Sequence, residues 1–273
     1  MSSGLHDWHY QCGSCQYEKA DLKPTINSSQ AHDRINEAAR EDGLRELRVR
    51  NFKALLGAIV KIKPTGGKLL DVGCAHGWFV EAAMKDFEVL GVEPDKAVYD
   101  VPAAKGLPVR QGFFPEVLLS SEKFDVIVFN DVIEHIPSVE LVLQSCRARL
   151  NEGGVLVLNL PSSNGIFYRL SKVFAYIGKS GFFERLWQKG LPSPHVHYFN
   201  KGNLLSLLTH NGFDAVKSGN LPTLGLTGLY TRISYTGELG LISRSLVYCA
   251  VAAALPFLRL LPSDIIYVIS KRR

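Results

Sequence analysis

An α/β fold with a parallel, doubly wound sheet is predicted for this 273-residue chain by three features of its sequence. Residues 69–79, LLDVGCAHGWF, describe a buried strand that runs through a glycine turn directly into a helix. Residues 87–95, FEVLGVEPD, form a second apolar strand that ends in Glu93. From there, strand-length apolar runs alternate with helical patterns, which is typical of a parallel sheet covered by helices on both faces.

The elements follow in a regular order along the chain. Residues 29–61 place apolar side chains among many charges and predict two amphipathic helices. Pro64, Gly66 and Gly67 then mark the entry to the first strand. The predicted elements that follow it are a helix near 77–85, a strand at 87–92, a helix near 95–105, a short strand at 108–111, a strand at 124–130, a helix near 138–150 and a strand at 154–160.

The glycine turn indicates which nucleotide the sheet would bind. Gly73 and Gly77 let the backbone approach a ligand closely, and acids at positions 71 and 93 end the first two strands. A dinucleotide-binding loop reads G-x-G-x-x-G so that a pyrophosphate lies against bare backbone, but Ala75 occupies the second glycine position here. Asp71 would repel a phosphate and attract an ammonium, while Glu93 can accept hydrogen bonds from ribose hydroxyls. The ligand that combines an adenosine ribose with an amino-acid ammonium is S-adenosylmethionine.

At this loop the sequence resembles the class I S-adenosylmethionine-dependent methyltransferases, whose first motif commonly reads DVGCGTG. The similarity continues through FDVIVFNDVIEHIPS at 124–138, LNEGGVLVLNLPSSNG at 150–165 and PHVHYFNKGNLLSLLTHNGFDAV at 194–216. It implies a Rossmann-like sheet of seven strands, mostly parallel with an antiparallel last strand at 264–270, a helical N-terminal extension and an inserted helical lid. It also implies a leader with helices at 1–64 and a methyltransferase domain at 65–273. Ala75 departs from the motif and fits without strain only if its φ is negative.

The same resemblance assigns the residues that would bind S-adenosylmethionine. Asp71 would bind the ammonium, Glu93 would bind the ribose, and Asn130 would lie on the methionine side. The loop residues that allow close approach are Gly73, Cys74 and Gly77. The residues that would contact adenine are Gln111, Gly112 and Phe113.

Two stretches interrupt the alternation. Residues 163–200 are rich in aromatic and basic side chains and follow the fifth strand, so they would cover the carboxyl ends of the strands as an acceptor lid. A helical pair that only packs on the core is the alternative. Residues 220–262 include LVYCAVAAALPFL at 246–258, a charge-free run that is short for the roughly 20 residues needed to span a bilayer. This run predicts an apolar helix in the core, in a homodimer interface or in a membrane surface, with a membrane span as a further alternative.

Three histidines are candidates for the base that removes a proton from an acceptor hydroxyl, because a neutral imidazole is suited to that role near pH 7. His195 and His197 share one side of an extended segment after the lid. His135 follows the fourth strand, close to where the methyl group would lie. His195 is the first choice and His135 the second, and a purely structural role is the alternative for each.

Two groups of residues have side chains suited to metals. Asp131, Glu134 and His135 form a D-x-x-E-H cluster that resembles the acidic motif of ubiquinone-pathway O-methyltransferases, which implies a divalent ion such as Mg²⁺. Acids at the start of a helix are the alternative. Cys12 and Cys15 form a C-x-x-C pair that resembles half of the N-terminal zinc ribbon of some sugar-modifying relatives. A Zn²⁺ site needs four ligands, usually as two pairs, so a leader without metal is favoured.

Composition limits the classes of function. The net charge is +5, and the Lys and Arg residues are scattered without a dense stripe, which argues against nucleic-acid binding. An odd number of cysteines and no N-terminal apolar signal segment indicate a reducing cytoplasm. A peripheral position at the inner face of the membrane is compatible with the apolar run.

These observations favour an enzyme. The first hypothesis is an S-adenosylmethionine-dependent O-methyltransferase for a small or lipid-linked acceptor, such as a sugar hydroxyl in polysaccharide or glycolipid biosynthesis. A quinone or phenolic O-methyltransferase is its rival, favoured by the D-x-x-E-H cluster and the apolar run. A cofactor-binding interaction subunit without catalysis is the alternative from another class, and the loop at Ala75 disfavours an NAD-linked oxidoreductase.

Overall fold

The computed structural model describes residues 1–27, 37–63, 66–226, 228–235, 240–258 and 260–273. Its strands are β1 (Ser2–Ser3), β2 (His9–Gln11), β3 (Glu18–Ala20), β4 (Lys68–Val72), β5 (Glu88–Glu93), β6 (Val109–Gln111), β7 (Phe124–Asn130), β8 (Leu150–Pro161), β9 (His197–Tyr198), β10 (Phe213–Leu221) and β11 (Ile265–Arg272). Its helices are α1 (Glu37–Val60), α2 (Trp78–Ala83), α3 (Lys96–Ala104), α4 (Val139–Arg149), α5 (Ile166–Tyr176), α6 (Gly181–Leu186), α7 (Lys201–His210), α8 (Leu229–Tyr235) and α9 (Leu241–Leu258), with a 3-10 turn at Ile133–His135.

The main sheet has the strand order β10-β11-β8-β7-β4-β5-β6. The five strands β4 to β8 run parallel to one another. β11 is inserted between β8 and β10 and is antiparallel to both. The predicted seven-stranded, mostly parallel sheet with an antiparallel last strand is therefore confirmed.

Alternate side chains of the central strands enter two apolar layers, one on each face of the main sheet. Leu70, Ile127 and Leu156 belong to the layer that α4 and α7 cover. Leu69 and Val126 belong to the layer that α1 and α2 cover. All five are fully buried, and each such side chain contributes about 1.5–3 kcal/mol of stability. The two layers fix the strand ends that carry the site.

The described residues of the N-terminal region contain one helix, where the sequence predicts two over residues 29–61. α1 runs over 24 residues without a break, and residues 28–36, which include the start of the predicted helical range, lie outside the described residues. Gly43 lies inside α1 and does not end it, although glycine costs a helix about 1 kcal/mol relative to alanine. Burial of Leu55 and Ile59 against the sheet more than offsets that cost. Within residues 37–60 the chain therefore has no break between two helices, because packing outweighs the local preference.

The leader forms a second, small sheet. β1, β2, β3 and β9 pair in that order, and every pair is antiparallel. This sheet and the lid share a core of mainly aromatic side chains. Its buried members are Trp8, Ala20, Tyr168, Phe183, Trp187 and Tyr198. The leader is therefore packed against residues 163–200.

A buried carboxylate fastens the leader to the lid. Glu18 is 2% exposed, and its oxygens lie 2.7 Å from His9 Nε2, 2.7 Å from the Tyr168 hydroxyl and 3.0 Å from Lys172 Nζ. Burial acts to raise the pKa of Glu18, but the hydrogen bond with His9 and the charge of Lys172 outweigh it. The pKa of Glu18 consequently lies below its usual value.

Both predicted insertions contain helices. α5 and α6 lie within residues 163–200, and α8 and α9 lie within 220–262. α9 contains the charge-free run at 246–258. In the part of the chain that the structure describes, no helix combines the length and the apolar content needed to cross a membrane.

Candidate active site

A cavity of about 470 Å³ lies at the carboxyl ends of β4 and β5. The turn after β4 and the end of β5 line one part of it, and the segments after β6 and β7 line another. The lining is completed by residues 24 and 26 of the leader, by Arg48 of α1, and by Gln188 and residues 191–193 after α6. A smaller pocket of about 30 Å³ around Asp71 shares lining residues with this cavity.

Two glycines shape the turn after β4. Gly73 and Gly77 have φ angles of 70° and 77°. A Cβ at Gly73 would lie 2.5 Å from the Val132 side chain, and one at Gly77 would lie 2.6 Å from Leu107. Ala75, between them, also has a positive φ, 44°, so the condition for a strain-free alanine is not met. A residue with a Cβ in this left-handed region costs about 1–2 kcal/mol.

Glu93 is held by the loop that it faces. Its Oε2 accepts a hydrogen bond from Ala75 N at 3.0 Å, and its Oε1 accepts one from Asp95 N at 2.9 Å. Burial raises the pKa of Glu93 to about 7, although these two hydrogen bonds act to lower it. Glu93 lines the cavity, where its remaining lone pairs can accept hydrogen bonds from the hydroxyls of a ligand.

Asp71 is buried at the end of β4, with 2% of the residue exposed, and borders the smaller pocket. Burial raises the pKa of Asp71 to about 8, against the effect of a hydrogen bond from Asn130 Nδ2 at 3.4 Å. An adjacent cation favours the ionised form of a carboxyl group. Asp71 is therefore placed to ionise when a cation binds beside it.

Arg48 is a site residue for which the sequence carries no signal. It projects from α1 and lines both the cavity and the smaller pocket. Its guanidinium nitrogen lies 3.6 Å from a carboxylate oxygen of Asp131. Arg48 is one of several basic residues in a charged helix, and only the packing of α1 on the sheet brings it near Asp71.

The predicted adenine-binding residues occupy different positions. Phe113 lines the cavity and is 55% exposed, so its ring is placed to stack on a flat ligand. Gln111 and Gly112 do not line it, and Gly112 donates its N–H to the carbonyl of Glu93 at 3.0 Å. Cys74, predicted within the loop, is buried beside the smaller pocket, and burial raises the pKa of its thiol.

Of the three candidate histidines, His135 is the one that lines the cavity. Its Nδ1 lies 2.9 Å from the carbonyl oxygen of Pro194, so in the neutral ring Nδ1 carries the proton and Nε2 the lone pair. His195 is buried, with its ring centroid 4.7 Å from that of His135. The Nε2 of His195 lies 2.9 Å from the side-chain amide of Gln188, which itself lines the cavity. The geometry thus favours His135, the second choice from sequence.

His197 connects two segments. Its Nε2 donates a hydrogen bond to the carbonyl of Ile136 at 2.9 Å, and its Nδ1 accepts one from the hydroxyl of Tyr17. Burial lowers the pKa of His197. Both ring nitrogens are therefore engaged in holding the leader against the segment after β7.

One group of metal-type ligands occurs among the described residues. Glu134, His135 and His195 each offer one ligand atom, and these atoms lie within 4.8 Å of one another. Asp131, which the sequence places in this group, lies beside Arg48 instead. Both carboxylate oxygens of Glu134 are buried without a hydrogen-bond partner in the described chain. Burial, aided by the charge of Asp131, raises the pKa of Glu134 well above its usual value.

Cys12 and Cys15 join no such group within the described residues. They lie between β2 and β3 as free thiols, and Cys15 is exposed. His6 stacks on a tryptophan ring, and His9 pairs with Glu18. The Zn²⁺ interpretation therefore gains no support from the structure.

Residues 24–27 form a strap beside the cavity. Thr25 N donates to the carbonyl of Pro192 at 2.7 Å. The side-chain amide of Asn27 donates to the carbonyl of Pro94 at 2.8 Å and accepts from Lys96 N at 3.1 Å. The strap thus joins the end of the lid to the loop after β5, a connection that no motif predicts.

Comparison with known proteins agrees with this geometry. A family model described as a methyltransferase domain matches residues 39–218. The chain is 33% identical over 104 residues to a ubiquinone biosynthesis O-methyltransferase of Histophilus somni, a match that covers 34% of this chain and 44% of that protein. The chain spans less than half the length of the curated relatives that it matches.

Solved structures share the fold. An S-adenosylmethionine-dependent methyltransferase from Thermotoga maritima, described as a possible histamine N-methyltransferase, has a TM-score of 0.57 at 16% identity and covers 87% of this chain and 95% of its own. Magnesium protoporphyrin IX methyltransferase from Synechocystis, solved with bound SAH, has a TM-score of 0.54 at 13% identity and covers 86% and 87%. At these identities the likeness shows the fold alone.

Proposed function

The chain belongs to the class I S-adenosylmethionine-dependent methyltransferases, and on this premise we propose that it methylates a hydroxyl oxygen of a planar, phenol-like acceptor. The observation that carries the proposal is the position of His135, which lines a cavity with largely apolar walls and whose Nδ1 lies 2.9 Å from the carbonyl oxygen of Pro194, so that the neutral ring keeps its lone pair on Nε2.

The cavity walls favour an aromatic acceptor over a sugar. Ile26, Phe114 and Leu191 contribute apolar surface, and a sugar hydroxyl left there without a partner would cost about 1–3 kcal/mol. A phenol is also acidic enough for a histidine base alone. The Histophilus somni relative named above acts in ubiquinone biosynthesis by its name, which supports the same class. The sugar or glycolipid acceptor expected from the sequence has no comparable support.

The charged groups of the cofactor match residues around the two pockets. We assign the ammonium of S-adenosylmethionine to Asp71 and its carboxylate to Arg48, because both residues border the smaller pocket. Glu93 would accept hydrogen bonds from the ribose, and Phe113 would stack on adenine. The cationic cofactor would draw Asp71 into its ionised form, so binding at neutral pH would release a proton.

The reaction needs alignment and one proton transfer. The acceptor oxygen attacks the methyl carbon in line with the carbon–sulfur bond, whose electron pair stays on sulfur as the sulfonium becomes a thioether. The hydroxyl proton moves to Nε2 of His135. The hydrogen bond that Nδ1 donates to the carbonyl of Pro194 keeps the ring proton on Nδ1 and the lone pair on Nε2. The strap, Gln188 and residues 191–193 border the cavity, where they would limit the access of water to the bound reactants. Orientation of the reactants would supply much of the barrier reduction.

The group formed by Glu134, His135 and His195 fits a divalent ion, because the Glu134 oxygens have no other hydrogen-bond partner among the described residues. Such an ion would lower the pKa of an acceptor hydroxyl. Dialysis against a chelator distinguishes a site that holds a divalent ion from a site without one. Loss of turnover that Mg²⁺ restores would support a bound ion, and unchanged turnover would exclude a role for it.

The proposal is tested by single histidine replacements, with methyl transfer to a catechol and calorimetric cofactor binding as the measurements. We expect His135→Ala to lower kcat by about 10²–10⁴-fold while the Kd of S-adenosylmethionine changes little. His197→Ala should mainly lower stability, because it removes two buried hydrogen bonds. His210→Ala, exposed on α7, is the control and should change neither quantity. Unchanged kcat in His135→Ala would refute the assigned base.

A cofactor-binding subunit without catalysis is the alternative from another class. It predicts calorimetric binding of S-adenosylmethionine with no turnover of any hydroxyl acceptor. A cytoplasmic location and a homodimer stay predictions from the sequence.

A further inference from the structure

A large exposed apolar surface lies on α9 and the segment that follows it. Among the described side chains of α9, only Leu255 is buried. Leu246 is 66% exposed, Phe257 72% and Leu260 84%. An apolar surface of this extent is unusual on a protein that meets only water, and it marks an interaction site.

α5 carries a second exposed apolar surface. Val173 is 57% exposed, Tyr176 73% and Ile177 64%. The backbone N–H of Ile166, at the start of α5, donates to the carbonyl of Pro262 at 3.1 Å, so α5 begins where the segment after α9 ends. We call these side chains together the apolar face: Val173, Tyr176, Ile177, Leu246, Phe257 and Leu260.

The segments that carry the apolar face have an excess of basic residues. Residues 163–200 contain five Lys or Arg and one acid, and residues 220–262 contain three Arg and one acid. The acid of the first segment, Glu184, is paired with Lys189 at 2.7 Å, while Arg169 and Lys179 are exposed. A second copy of the chain would bring these basic segments against themselves, because a twofold interface places the same patch on both sides. Exposed apolar side chains on segments with an excess of positive charge are complementary to an anionic lipid surface.

We propose that the apolar face docks on a membrane that contains anionic lipids, with α9 lying in the plane of the interface. Its apolar side chains enter the boundary between headgroups and acyl chains, and the Lys and Arg side chains contact lipid phosphates. No described helix is long and apolar enough to cross the membrane, so the contact is peripheral. This inference does not depend on the acceptor.

The test is sedimentation of the full chain with phosphatidylcholine vesicles that contain or lack phosphatidylglycerol, at low and high salt. We expect binding to the anionic vesicles that weakens as salt rises. The triple change Leu246→Gln, Phe257→Gln and Leu260→Gln should lower vesicle partitioning about tenfold or more. The matched control is Leu119→Gln with Leu141→Gln, since these residues are 64% and 62% exposed but lie outside the apolar face.

Calorimetric binding of S-adenosylmethionine should be the same in all these forms, which shows that they are folded and separates this inference from the methyltransferase proposal. Equal partitioning of the wild type and the triple variant would overturn the inference. A second result would also overturn the inference: the wild type does not bind vesicles, and light scattering shows that it is a dimer while the triple variant is a monomer. The apolar face would then contact a second copy of the chain.

Discussion

Replacement of Asp71 by asparagine should stabilise the cofactor-free protein while it weakens cofactor binding. Burial raises the pKa of Asp71 from 3.8 to about 8. The folded chain therefore keeps a proton that the unfolded chain releases, and the stability from this group falls as the pH rises from about 4 to about 8. Each pKa unit corresponds to about 1.4 kcal/mol, so the loss at pH 7 is about 4 kcal/mol. Asparagine has nearly the same shape, cannot ionise and can still accept the hydrogen bond from Asn130.

Urea denaturation without cofactor at pH 5 and pH 7 measures this effect. The free energy of unfolding of Asp71→Asn should exceed that of the wild type, and the excess should grow by about 2–3 kcal/mol between the two pH values. Other buried acids are common to both proteins, so their titration cancels in the comparison. Glu88→Gln, at an exposed position of β5, is the control and should show no such growth.

Calorimetry on the same variant should show a Kd for S-adenosylmethionine raised about 100-fold, because the buried ammonium loses its counter-charge. If the wild type and Asp71→Asn lose stability equally from pH 5 to pH 7, Asp71 is already ionised in the cofactor-free protein. The reasoning from burial would then be refuted.

Two further changes test the loop and the leader. Ala75→Gly should raise the Tm, because glycine adopts a φ of 44° without the cost of about 1–2 kcal/mol that alanine carries there. The control is Ala82→Gly in α2, which should lower stability by about 1 kcal/mol. A lower Tm in both variants would show that the loop at Ala75 is unstrained. Glu18→Gln should lower the free energy of unfolding by about 3–5 kcal/mol at pH 7, since it leaves Lys172 without its counter-charge and His9 without its carboxylate partner. The pKa of Glu18 lies below its usual value, so the stabilisation that Glu18 gives the folded chain is present above the ordinary pKa and is lost as the pH falls. The free energies of unfolding of the wild type and Glu18→Gln should therefore converge in acid. Equal differences at pH 7 and pH 3 by chemical denaturation would contradict this account.

The parts of the site that sequence predicts are those attached to strand ends. Asp71 and Glu93 follow apolar runs whose burial is unambiguous, and a parallel sheet brings such ends to one edge. Arg48, Ile26 and Gln188 reach the same cavity from segments far apart in the chain. Their positions depend on how α1, the leader and the lid pack, and no local pattern records that packing.

Two details of the site depend on geometry that residue types do not fix. The choice between His135 and His195 rests on which ring lines the cavity and which nitrogen a carbonyl engages. The strain at Ala75 rests on a backbone angle that the flanking turn imposes. The presence of alanine at position 75 does not by itself give the sign of φ, which only the geometry of the turn determines.

The position of β11 has a consequence for folding. β11 follows both β8 and β10 in the sequence and yet lies between them, so the sheet stays incomplete until Ile265–Arg272 has been inserted. Before that insertion the edge of β8 exposes unpaired N–H and C=O groups, which makes the partly folded chain vulnerable to aggregation. Truncation of the chain before Ile265 would therefore delete an interior strand of the sheet.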